Sequence, residues 1–344
     1  MRKEWRVDVP LVLMNSFFTH APTMSVIGHS DVPVLPFMQN EVPRLLADTL
    51  EPLERGTDED WAPPGHGDVY RSLQATGVLD SLLNEGRRWA FISNLDNLAA
   101  WVDPWILGMI ETEGIEFVLE VTDRTELDRK GGTLVVRNGR LDLLEIAQVS
   151  REERPWFMDI DRFPVFNTNN VWVDLHALEK ALSQDALRLP VIQNRKRVDG
   201  REVIQIETAM GAAIGCFALS RGLRVGRDRF FPTKKVEDLF VLQSDACVLD
   251  SMFRLKKSPV RSDKLSFRPK VTFDREFLDS PLRMPEVFED PSSVSLVEAE
   301  SLTVAGRVFF ERDVKIVGIV LIEAPPGRSL RIPRGTALRD TRLP

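Results

Sequence analysis

Cysteine is scarce in this sequence. Among its 344 residues, only Cys216 and Cys247 carry a thiol. Two cysteines are too few for a disulfide framework, which excludes the class of small secreted proteins that disulfides hold together. Because disulfides are rare in reducing compartments, the low count favours a cytoplasmic protein.

An excess of positive charge is also absent, since the formal net charge is −7. Nucleic acids and anionic membrane surfaces are bound through basic patches, so the charge argues against both as partners. Phosphate ligands remain possible, because they need only local positive charge or a metal ion.

Long apolar runs are missing as well, and none is long enough to span a membrane. The run Val9–Met14 follows basic residues, but it is shorter than the apolar region of a signal peptide and ends at Asn15. With 43% hydrophobic and 28% charged residues, the composition is that of an ordinary globular protein. The length is sufficient for two domains and a large core.

Short apolar runs alternate with helical patterns in the first part of the chain. The predicted strands are Val9–Met14, Val32–Phe37, Trp89–Ser93 and Ile115–Val121, and the predicted helices cover 69–85 and 101–110. Continuous apolar strands are typical of a sheet that is covered on both faces. The alternation predicts an open α/β sheet, in which ligands bind at the carboxyl ends of the strands. Gln39, Gly65, His66, Asn94 and Asp96 lie at or near such ends.

The stretch Trp61–Tyr70 is the most distinctive local motif. Two prolines fix the approach to Gly65, and Gly65 and Gly67 flank His66. A helical pattern follows at Val69, and backbone N–H groups at the start of a helix favour phosphates. A rigid turn that carries a surface histidine is the alternative interpretation.

Turn signals mark a change of pattern after residue 120. Asn138-Gly139 and Asp199-Gly200 predict tight hairpins between short strands. Residues 207–219 contain many small side chains and predict a helix. Residues 252–290 are rich in proline, serine and charge, and they predict an irregular linker.

The C-terminal residues repeat a short β-branched pattern. Leu302–Val308, Val314–Val320 and Leu330–Leu338 follow one another at short intervals, which predicts the stacked coils of a β-helix. A fragment of an antiparallel β-sandwich is the alternative. An open stack exposes backbone groups that another chain could cover. The predicted domains are 1–251, 252–290 and 291–344.

Several separated strings occur in the order found in one family. They are Val9–Phe17, Pro63–Asp68, Ser93–Asn97, Lys130–Leu134, Glu145–Gln148, Phe166–Asn170, Ile206–Ala209 and Phe231–Lys234. From about Val7 to its C-terminus, the chain resembles the eukaryotic-type UDP-glucose pyrophosphorylases (UTP–glucose-1-phosphate uridylyltransferases). The resemblance implies an α/β fold with an open mixed sheet of the nucleotide-sugar nucleotidyltransferase type, which is Rossmann-like and GT-A-like. It also implies a C-terminal left-handed β-helix.

The reaction that this resemblance implies is attack by an oxygen of glucose-1-phosphate on the α-phosphorus of UTP, with pyrophosphate leaving. The catalyst of such a reaction mostly positions phosphates and neutralises their charge. By similarity, Gln39, the Gly65 backbone, Asn94, Asp96 and Lys234 contact the nucleotide, while His66, Gly132, Glu145 and Asn169 contact the sugar phosphate.

The resemblance also implies a cofactor and a catalytic residue. Asp96 would ligate Mg²⁺, which bridges phosphate oxygens. Lys234 would be catalytic, since it would reach the phosphates as their charge grows. The alternatives are that Asp96 caps a helix, that Lys234 is a solvated member of the Lys234–Lys235 pair, and that Glu145 is a surface carboxylate.

One string of the family has no equivalent in this sequence. The family opens with a strand, a glycine-rich Leu-Asn-Gly-Gly-Leu-Gly-Thr loop and then a lysine that meets the nucleotide phosphates. Such a loop supplies backbone N–H donors to the triphosphate. We therefore expect weak turnover from the chain as given. A true start upstream of Met1, a fragment, and a second polypeptide that completes the protein are open alternatives.

Other functions also remain open at this point. The chain could be a non-catalytic oligomerising or regulatory subunit with the same fold, or a pyrophosphorylase for another UDP-sugar. The strings Pro63–Gly67 and Asn167–Asn170 favour glucose. The β-helix of the family makes subunit contacts in some members, which implies a homo-oligomer through the C-terminal tail.

Overall fold

A computed structural model describes residues 2–28 and 32–344. Contacts divide the chain into two compact units. The first unit combines Met1–Asn94 with Val102–Val225, and the second combines Leu95–Trp101 with Gly226–Pro344. Each unit has a hydrophobic core of its own side chains.

The first unit contains both helices and strands. Its α-helices are α1 (Arg2–Trp5), α2 (His20–Ile27), α3 (Val69–Ala75), α4 (Val78–Asn84), α5 (Pro104–Glu113), α6 (Arg154–Phe157) and α7 (Leu175–Ser183). Its strands are β1 (Leu11–Asn15), β2 (Val34–Met38), β3 (Val42–Pro43), β4 (Leu45–Leu46), β5 (Trp61–Ala62), β6 (Trp89–Ser93), β7 (Phe117–Asp123), β8 (Thr133–Arg137), β9 (Arg140–Leu144), β10 (Val165–Asp174), β11 (Ile192–Val198), β12 (Arg201–Glu207) and β13 (Ser220–Arg224).

The second unit consists mainly of strands. Its α-helices are α8 (Val236–Gln243) and α9 (Met284–Val287). Its strands are β14 (Cys247–Leu249), β15 (Leu255–Lys257), β16 (Lys270–Phe273), β17 (Ser295–Ala305), β18 (Arg307–Phe310), β19 (Lys315–Glu323), β20 (Ser329–Ile332) and β21 (Ala337–Leu343).

A mixed four-stranded sheet lies at the centre of the first unit, in the order β13, β7, β10, β6. β13 is parallel to β7, whereas β10 runs antiparallel to both β7 and β6. A bulge interrupts β10 between Asn167 and Asn170, and Asn170 pairs with Ser93 on one side and with Glu120 on the other. The bulge therefore lies near the carboxyl ends of β6 and β7. This arrangement confirms the prediction of an α/β fold with a mixed sheet.

The predicted strand Val9–Met14 exists, but its burial differs from the prediction. β1 pairs in parallel with β2 in a two-stranded sheet. Leu11 is 44% exposed and Leu35 is 39% exposed. The expectation of burial on both faces is therefore wrong for this pair, because the apolar run leaves side chains at the surface.

Both predicted hairpins are present. Asn138 and Gly139 join β8 to β9, and Asp199 and Gly200 join β11 to β12, with positive φ at all four residues. Two successive positive φ angles define the turn that matches the twist of antiparallel strands. Local turn chemistry was therefore sufficient to predict these two elements.

Two helix predictions need correction. Gly77, with a φ of +74°, separates α3 from α4, so the predicted helix over 69–85 is two helices. The predicted helix over 207–219 is wrong, because β12 extends to Glu207 and a 3₁₀-helix covers Met210–Cys216. Glycines at 211 and 215 weaken an α-helix, and close packing of Gly211 against Leu143 explains why small residues occur there.

The second unit contains two sheets of parallel strands, ordered β16-β17-β19-β21 and β18-β20. Parallel pairing contradicts the alternative of an antiparallel sandwich. The predicted irregular linker over 252–290 is also more regular than expected, since it contains β15, β16 and α9. Phe273 and Phe288, which lie in this segment, are buried in one core with Phe310. The division into domains 1–251, 252–290 and 291–344 stays a prediction.

Among residues 2–28 and 32–344, no helix has the length and apolar character required to cross a membrane.

Candidate active site

The predicted site residues are divided between the two units. The first unit contains Gln39, Gly65, His66, Asn94, Gly132, Glu145 and Asn169, and the second contains Asp96 and Lys234.

The loop that begins at Pro63 is fixed against Thr208. The backbone N–H of Thr208 donates to the carbonyl of Pro64 at 2.8 Å, and that of Gly67 donates to the carbonyl of Thr208 at 2.9 Å. Gly65 has a φ of +81°, and a Cβ there would lie 2.6 Å from the Thr208 carbonyl oxygen. Only glycine fits at this position, because both the conformation and the space exclude a side chain.

The imidazole of His66 is held in one tautomer. The backbone N–H of Met210 donates to Nδ1 of His66 at 3.0 Å. Nδ1 is therefore the unprotonated nitrogen, and the ring of the neutral side chain carries its proton on Nε2. Tyr70, which is fully buried, donates to the Met210 carbonyl at 2.8 Å and secures this segment. The histidine is thus a half-buried, oriented donor.

Asp68 connects the His66 loop to the segment that carries Gln39. Its carboxylate accepts hydrogen bonds from the backbone N–H of Asn40 at 2.8 Å and from the Ser72 hydroxyl at 2.6 Å. Gln39 itself follows β2, and its N–H donates to the Asn15 carbonyl at 2.8 Å. Asp68 was missed in the sequence, although an acidic residue directly after Gly-His-Gly at the start of a helix is a usable signal.

A buried polar network supports the strand end before Asn94. The Ser93 hydroxyl donates to Oδ1 of Asn170 at 2.7 Å, and Nδ2 of Asn170 donates to Glu120 at 3.0 Å. Trp172 donates to the other carboxylate oxygen of Glu120 at 2.8 Å. Glu120 is fully buried, so these donors satisfy its carboxylate oxygens and join the end of β6 to the middle of β7.

Gly132 lies directly against the carboxylate of Glu145. A Cβ at position 132 would overlap Oε1 of Glu145, so a side chain there would displace the carboxylate. Burial raises the pKa of Glu145 to about 7, while a hydrogen bond from Asn167 and the charge of Arg124 lower it. Glu145 is half-buried and not a fully solvated surface carboxylate.

Arg124 holds the loop that leads to Gly132. This guanidinium is almost fully buried and donates to the carbonyls of Phe157 at 3.0 Å and Arg129 at 3.1 Å. It also lies over the Phe157 ring, 4.8 Å from the centroid. Sequence reasoning missed Arg124, because a lone arginine after a strand gives no sign that loop carbonyls will surround it.

Asn169 lies in the bulge of β10 with a φ of +57°. Its backbone N–H donates to Oδ1 of Asn167 at 2.8 Å, and its Oδ1 accepts from Nδ2 of Asn167 at 2.8 Å. The bulge thus places Asn169 near the carboxyl end of β6, the strand that ends at Ser93 directly before Asn94.

In the second unit, Asp96 and Lys234 form an ion pair. Nζ of Lys234 lies 3.4 Å from Oδ2 of Asp96, and the Lys234 side chain is 64% exposed. The backbone N–H of Thr233 donates to the Asp96 carbonyl at 2.8 Å, which holds the two segments together. Asp96 does not cap a helix, since Asp103 is the N-cap residue of α5.

Asp238 fixes the backbone of both lysines. Its Oδ2 accepts from the N–H of Lys234 at 2.8 Å and from that of Lys235 at 2.9 Å, and Arg268 pairs with its other oxygen. Asp238 was also missed in the sequence. Its position in the first turn of α8, where a carboxylate binds free N–H groups, could have indicated it.

Comparison with known proteins gives a consistent result. Residues 1–317 match the model of a family described as UTP–glucose-1-phosphate uridylyltransferase. UTP–glucose-1-phosphate uridylyltransferase 2 of Dictyostelium discoideum is 40% identical over an alignment 356 residues long. The alignment covers 99% of this chain and 68% of that protein. The enzyme of Pyrus pyrifolia is 41% identical over 339 residues, which cover 96% of this chain and 70% of that protein.

Solved structures agree with these relatives. A mutant UDP-glucose pyrophosphorylase from Leishmania major in complex with UDP-glucose is 36% identical, with a TM-score of 0.85 over 99% of this chain and 77% of that chain. A structure from Trypanosoma brucei described as UDP-glucose phosphorylase is 36% identical, with a TM-score of 0.83 over 99% of this chain and 76% of that chain.

Proposed function

Because the chain belongs to the UTP–glucose-1-phosphate uridylyltransferase family, we propose that it forms UDP-glucose and pyrophosphate from UTP and glucose-1-phosphate. The observation that carries this proposal is the family match over residues 1–317. It makes the protein a nucleotidyltransferase that acts on small phosphorylated substrates.

On the nucleotide side, Gln39, Gly65 and Asn94 bind the uridine portion. A glutamine amide offers one donor group and one acceptor, which suits the mixed edge of uracil. The absence of a side chain at Gly65 lets a flat base approach the backbone. The fixed Thr208 contacts of this loop support such a role, because a binding surface must keep its shape.

On the sugar-phosphate side, His66 donates from Nε2 to an oxygen of glucose-1-phosphate. A general base is not needed, because the attacking phosphate oxygen is already ionised. The bond from Met210 to Nδ1 supports this role, since it leaves the proton on Nε2. Glu145 and Asn169 bind hydroxyl groups of the glucose ring, and Gly132 lets the ring lie against the backbone.

Lys234 stabilises the charge that grows on the phosphates in the transition state, and it is the proposed catalytic residue. Asp96 is the proposed Mg²⁺ ligand. Among the described residues, no group of three or more histidine, cysteine or acidic side chains could hold a metal ion. A single carboxylate still fits Mg²⁺, which usually combines one or two carboxylates with substrate phosphates. When bound, the ion would neutralise phosphate charge beside Lys234.

The tail and the location of the protein are part of the same proposal. The parallel registers of β17 with β19 and of β19 with β21 support stacked coils, which we propose form a left-handed β-helix. Its outer strand β21 would allow homo-oligomerisation. A sedimentation coefficient that does not change with protein concentration at high salt would contradict this.

Both cysteines are free thiols, which supports a cytoplasmic location.

The proposed function is tested first by binding and then by turnover. We expect calorimetric titration to show that the 344-residue chain binds UDP-glucose more tightly than UDP-N-acetylglucosamine. We also expect UDP-glucose and pyrophosphate to form from UTP, glucose-1-phosphate and Mg²⁺. Binding is the primary measurement. A chain that binds neither UDP-glucose nor UDP would disprove the proposal, and tighter binding of the acetylated sugar would favour another UDP-sugar.

A further inference from the structure

The turn between β14 and β15 presents a phenylalanine to solvent. Phe253 is 83% exposed and has a φ of +59°, a backbone conformation that bulky side chains rarely adopt. Asparagine or glycine adopts this conformation at a lower cost. The exposed ring adds little to the packing of its own chain, so its position indicates a role in contact with a partner.

Hydrogen bonds around Asp250 hold this turn in one shape. The backbone N–H of Asp250 donates to the Arg254 carbonyl at 3.0 Å, and that of Phe253 donates to the Asp250 carbonyl at 2.9 Å. Oδ1 of Asp250 accepts from the N–H of Met252 at 2.9 Å and from that of Arg254 at 3.0 Å. The Arg254 guanidinium lies over the Trp101 ring, 4.6 Å from its centroid. A turn that is already ordered loses little entropy when its ring binds a partner.

An apolar recess lies beside the same hairpin. Its volume is about 240 Å³, and it is lined by Leu98, Leu242, Cys247, Val248, Leu249 and Leu255. Leu249 and Leu255 form the strand pair nearest the turn, so one hairpin carries both the wall of the recess and Phe253. Leu98, Val248 and Leu249 are exposed. The recess and the Phe253 ring together form an exposed apolar surface, the Phe253 patch, and surfaces of this kind mark binding sites.

We propose that the Phe253 patch is a self-association surface, at which the Phe253 ring of each of two copies enters the apolar recess of the other. The occupant is a second copy because ring and recess lie on one hairpin, and a two-fold axis through the patch forms the contact twice. A different partner would require only one of the two features. The patch contains no residue of β21 and none assigned to the reaction, so the inference does not rest on the proposed function.

The charges of the hairpin are compatible with this pairing. Each of its three lysine and arginine side chains forms an ion pair within its own copy. The pairs are Arg254–Asp250 at 2.6 Å, Lys256–Asp228 at 2.5 Å and Lys257–Asp263 at 3.8 Å. Two copies therefore meet here without unpaired like charges, which are costly at an interface. Since each copy has a formal net charge of −7, added salt should strengthen the association by screening long-range repulsion.

The size of the patch predicts a weak dimer. A buried phenylalanine contributes roughly 150–250 Å² of contact area. Even with the exposed leucines and Val248, each copy offers less than the roughly 800 Å² per partner of a standard stable interface. We therefore expect a transient dimer with a dissociation constant on the order of 100 μM.

Sedimentation equilibrium of the 344-residue chain at high salt, up to about 1 mM protein, measures this constant. Phe253→Asn removes the ring and suits the left-handed turn. We expect its dissociation constant to rise at least about tenfold, the scale of an aromatic hot spot, and its free energy of unfolding to stay equal or increase. Leu282→Asn is the matched control, because Leu282 is equally exposed in the same unit but lies outside the patch. Its constant should stay within about twofold.

A mixture of two variants tests whether the ring enters the recess. Leu249→Arg places a long cationic side chain at the exposed rim of the recess and leaves Phe253 in place. Each variant alone should associate weakly. In the mixture, the ring of the Leu249→Arg chain meets the open recess of the Phe253→Asn chain, so the two should associate more tightly with each other than either does with itself. Sedimentation of one fluorescently labelled variant with the other measures this.

Several results would overturn the inference. These are a wild-type chain that stays monomeric up to about 1 mM, an unchanged constant in Phe253→Asn, an equal loss in Leu282→Asn, or no gain in the mixture. An unchanged constant in Phe253→Asn would assign the association to another surface, such as β21. A lower free energy of unfolding in Phe253→Asn would show that the ring serves the fold of its own chain. Binding of UDP-glucose tests the proposed function separately.

Discussion

At the level of single residues, the Glu145 carboxyl group makes stability depend on pH. Burial raises its pKa from 4.5 to about 7. Between these values the folded chain binds a proton that the unfolded chain has released. The stability that this proton contributes is fully present below about pH 4.5 and is lost as pH rises through about 7.

We therefore predict that Glu145→Gln stabilises the protein more at high pH than at low pH. Glutamine has the shape of the neutral acid but never ionises. Its gain in the free energy of unfolding should be about 2 kcal/mol larger at about pH 8 than at about pH 5. Urea denaturation at both pH values measures this difference. Glu152→Gln, at an exposed position, is the control. If Glu145→Gln changed the free energy of unfolding equally at both pH values, the prediction would be contradicted.

The neighbouring lysines offer a matched pair of variants. Lys234 and Lys235 are both exposed, and Asp238 binds the backbone N–H of each. Lys234 pairs with Asp96 and is proposed to act on the phosphates. In a preparation with measurable turnover, Lys234→Ala should lower kcat by about 100-fold or more and change KM less, because the ammonium acts mainly in the transition state.

The same assay should show a much smaller change for Lys235→Ala, within about twofold, as for most surface substitutions. Similar losses in the two variants would mean that positive charge near this backbone matters in general and that Lys234 has no special role. A near-normal kcat for Lys234→Ala would make it an ordinary surface lysine.

At the level of elements, Gly65 determines the shape of the His66 loop. We predict that Gly65→Ala costs at least about 3 kcal/mol of stability, because it adds a strained φ and an overlap with the Thr208 backbone. Gly77→Ala is the control, since Gly77 has a similar φ of +74° but no atom within 4 Å of the added Cβ. It should cost only about 1–2 kcal/mol.

Urea denaturation of both glycine variants checks this prediction. If the two substitutions cost the same, the contact with Thr208 contributes nothing beyond backbone conformation. Gly65→Ala should also weaken UDP-glucose binding, because displacement of the loop breaks the bond from Met210 to His66.

Elements set by local chemistry could be predicted from the sequence. The strand Trp89–Ser93 has the predicted bounds, and the turn at Asn138-Gly139 has the predicted hairpin. Residues 207–219 could not be predicted, because their small side chains serve packing against Leu143 and not helix formation. Burial of Phe273 within a segment rich in proline and serine likewise depends on distant strands.

Site residues divide in a similar way. His66 and Asp96 could be named because motifs that resemble a known family carry them. Asn167 and Arg124 could not be assigned roles, because their hydrogen bonds to the Gly132 and Phe157 carbonyls join segments far apart in sequence. Such residues act through tertiary contacts, which the periodicity and spacing of the sequence do not reveal.

At the level of the whole molecule, the second unit has one continuous core that crosses residue 291. The ring of Phe288 stacks on Phe240 with centroids 4.6 Å apart and on Phe310 with centroids 5.1 Å apart. β16, which precedes residue 291, pairs with β17, which follows it. Residues 226–290 therefore depend on the C-terminal strands for both hydrogen bonds and burial.

We predict that removal of residues 291–344 unfolds the rest of the second unit and leaves the first unit folded. Loss of Phe310 and of the partner strand of β16 exposes the aromatic core around Phe240, whereas the core of the first unit contains no residue from this region. Hydrogen exchange should then show lost protection in α8 and β16 but retained protection in β7. If residues 291–344 formed an independent domain, as the sequence predicted, α8 would stay protected after the deletion. We expect lost protection instead, because a helix without its covering strands has too little apolar contact to remain folded. Continued protection of α8 would therefore contradict the dependence of residues 226–290 on the tail.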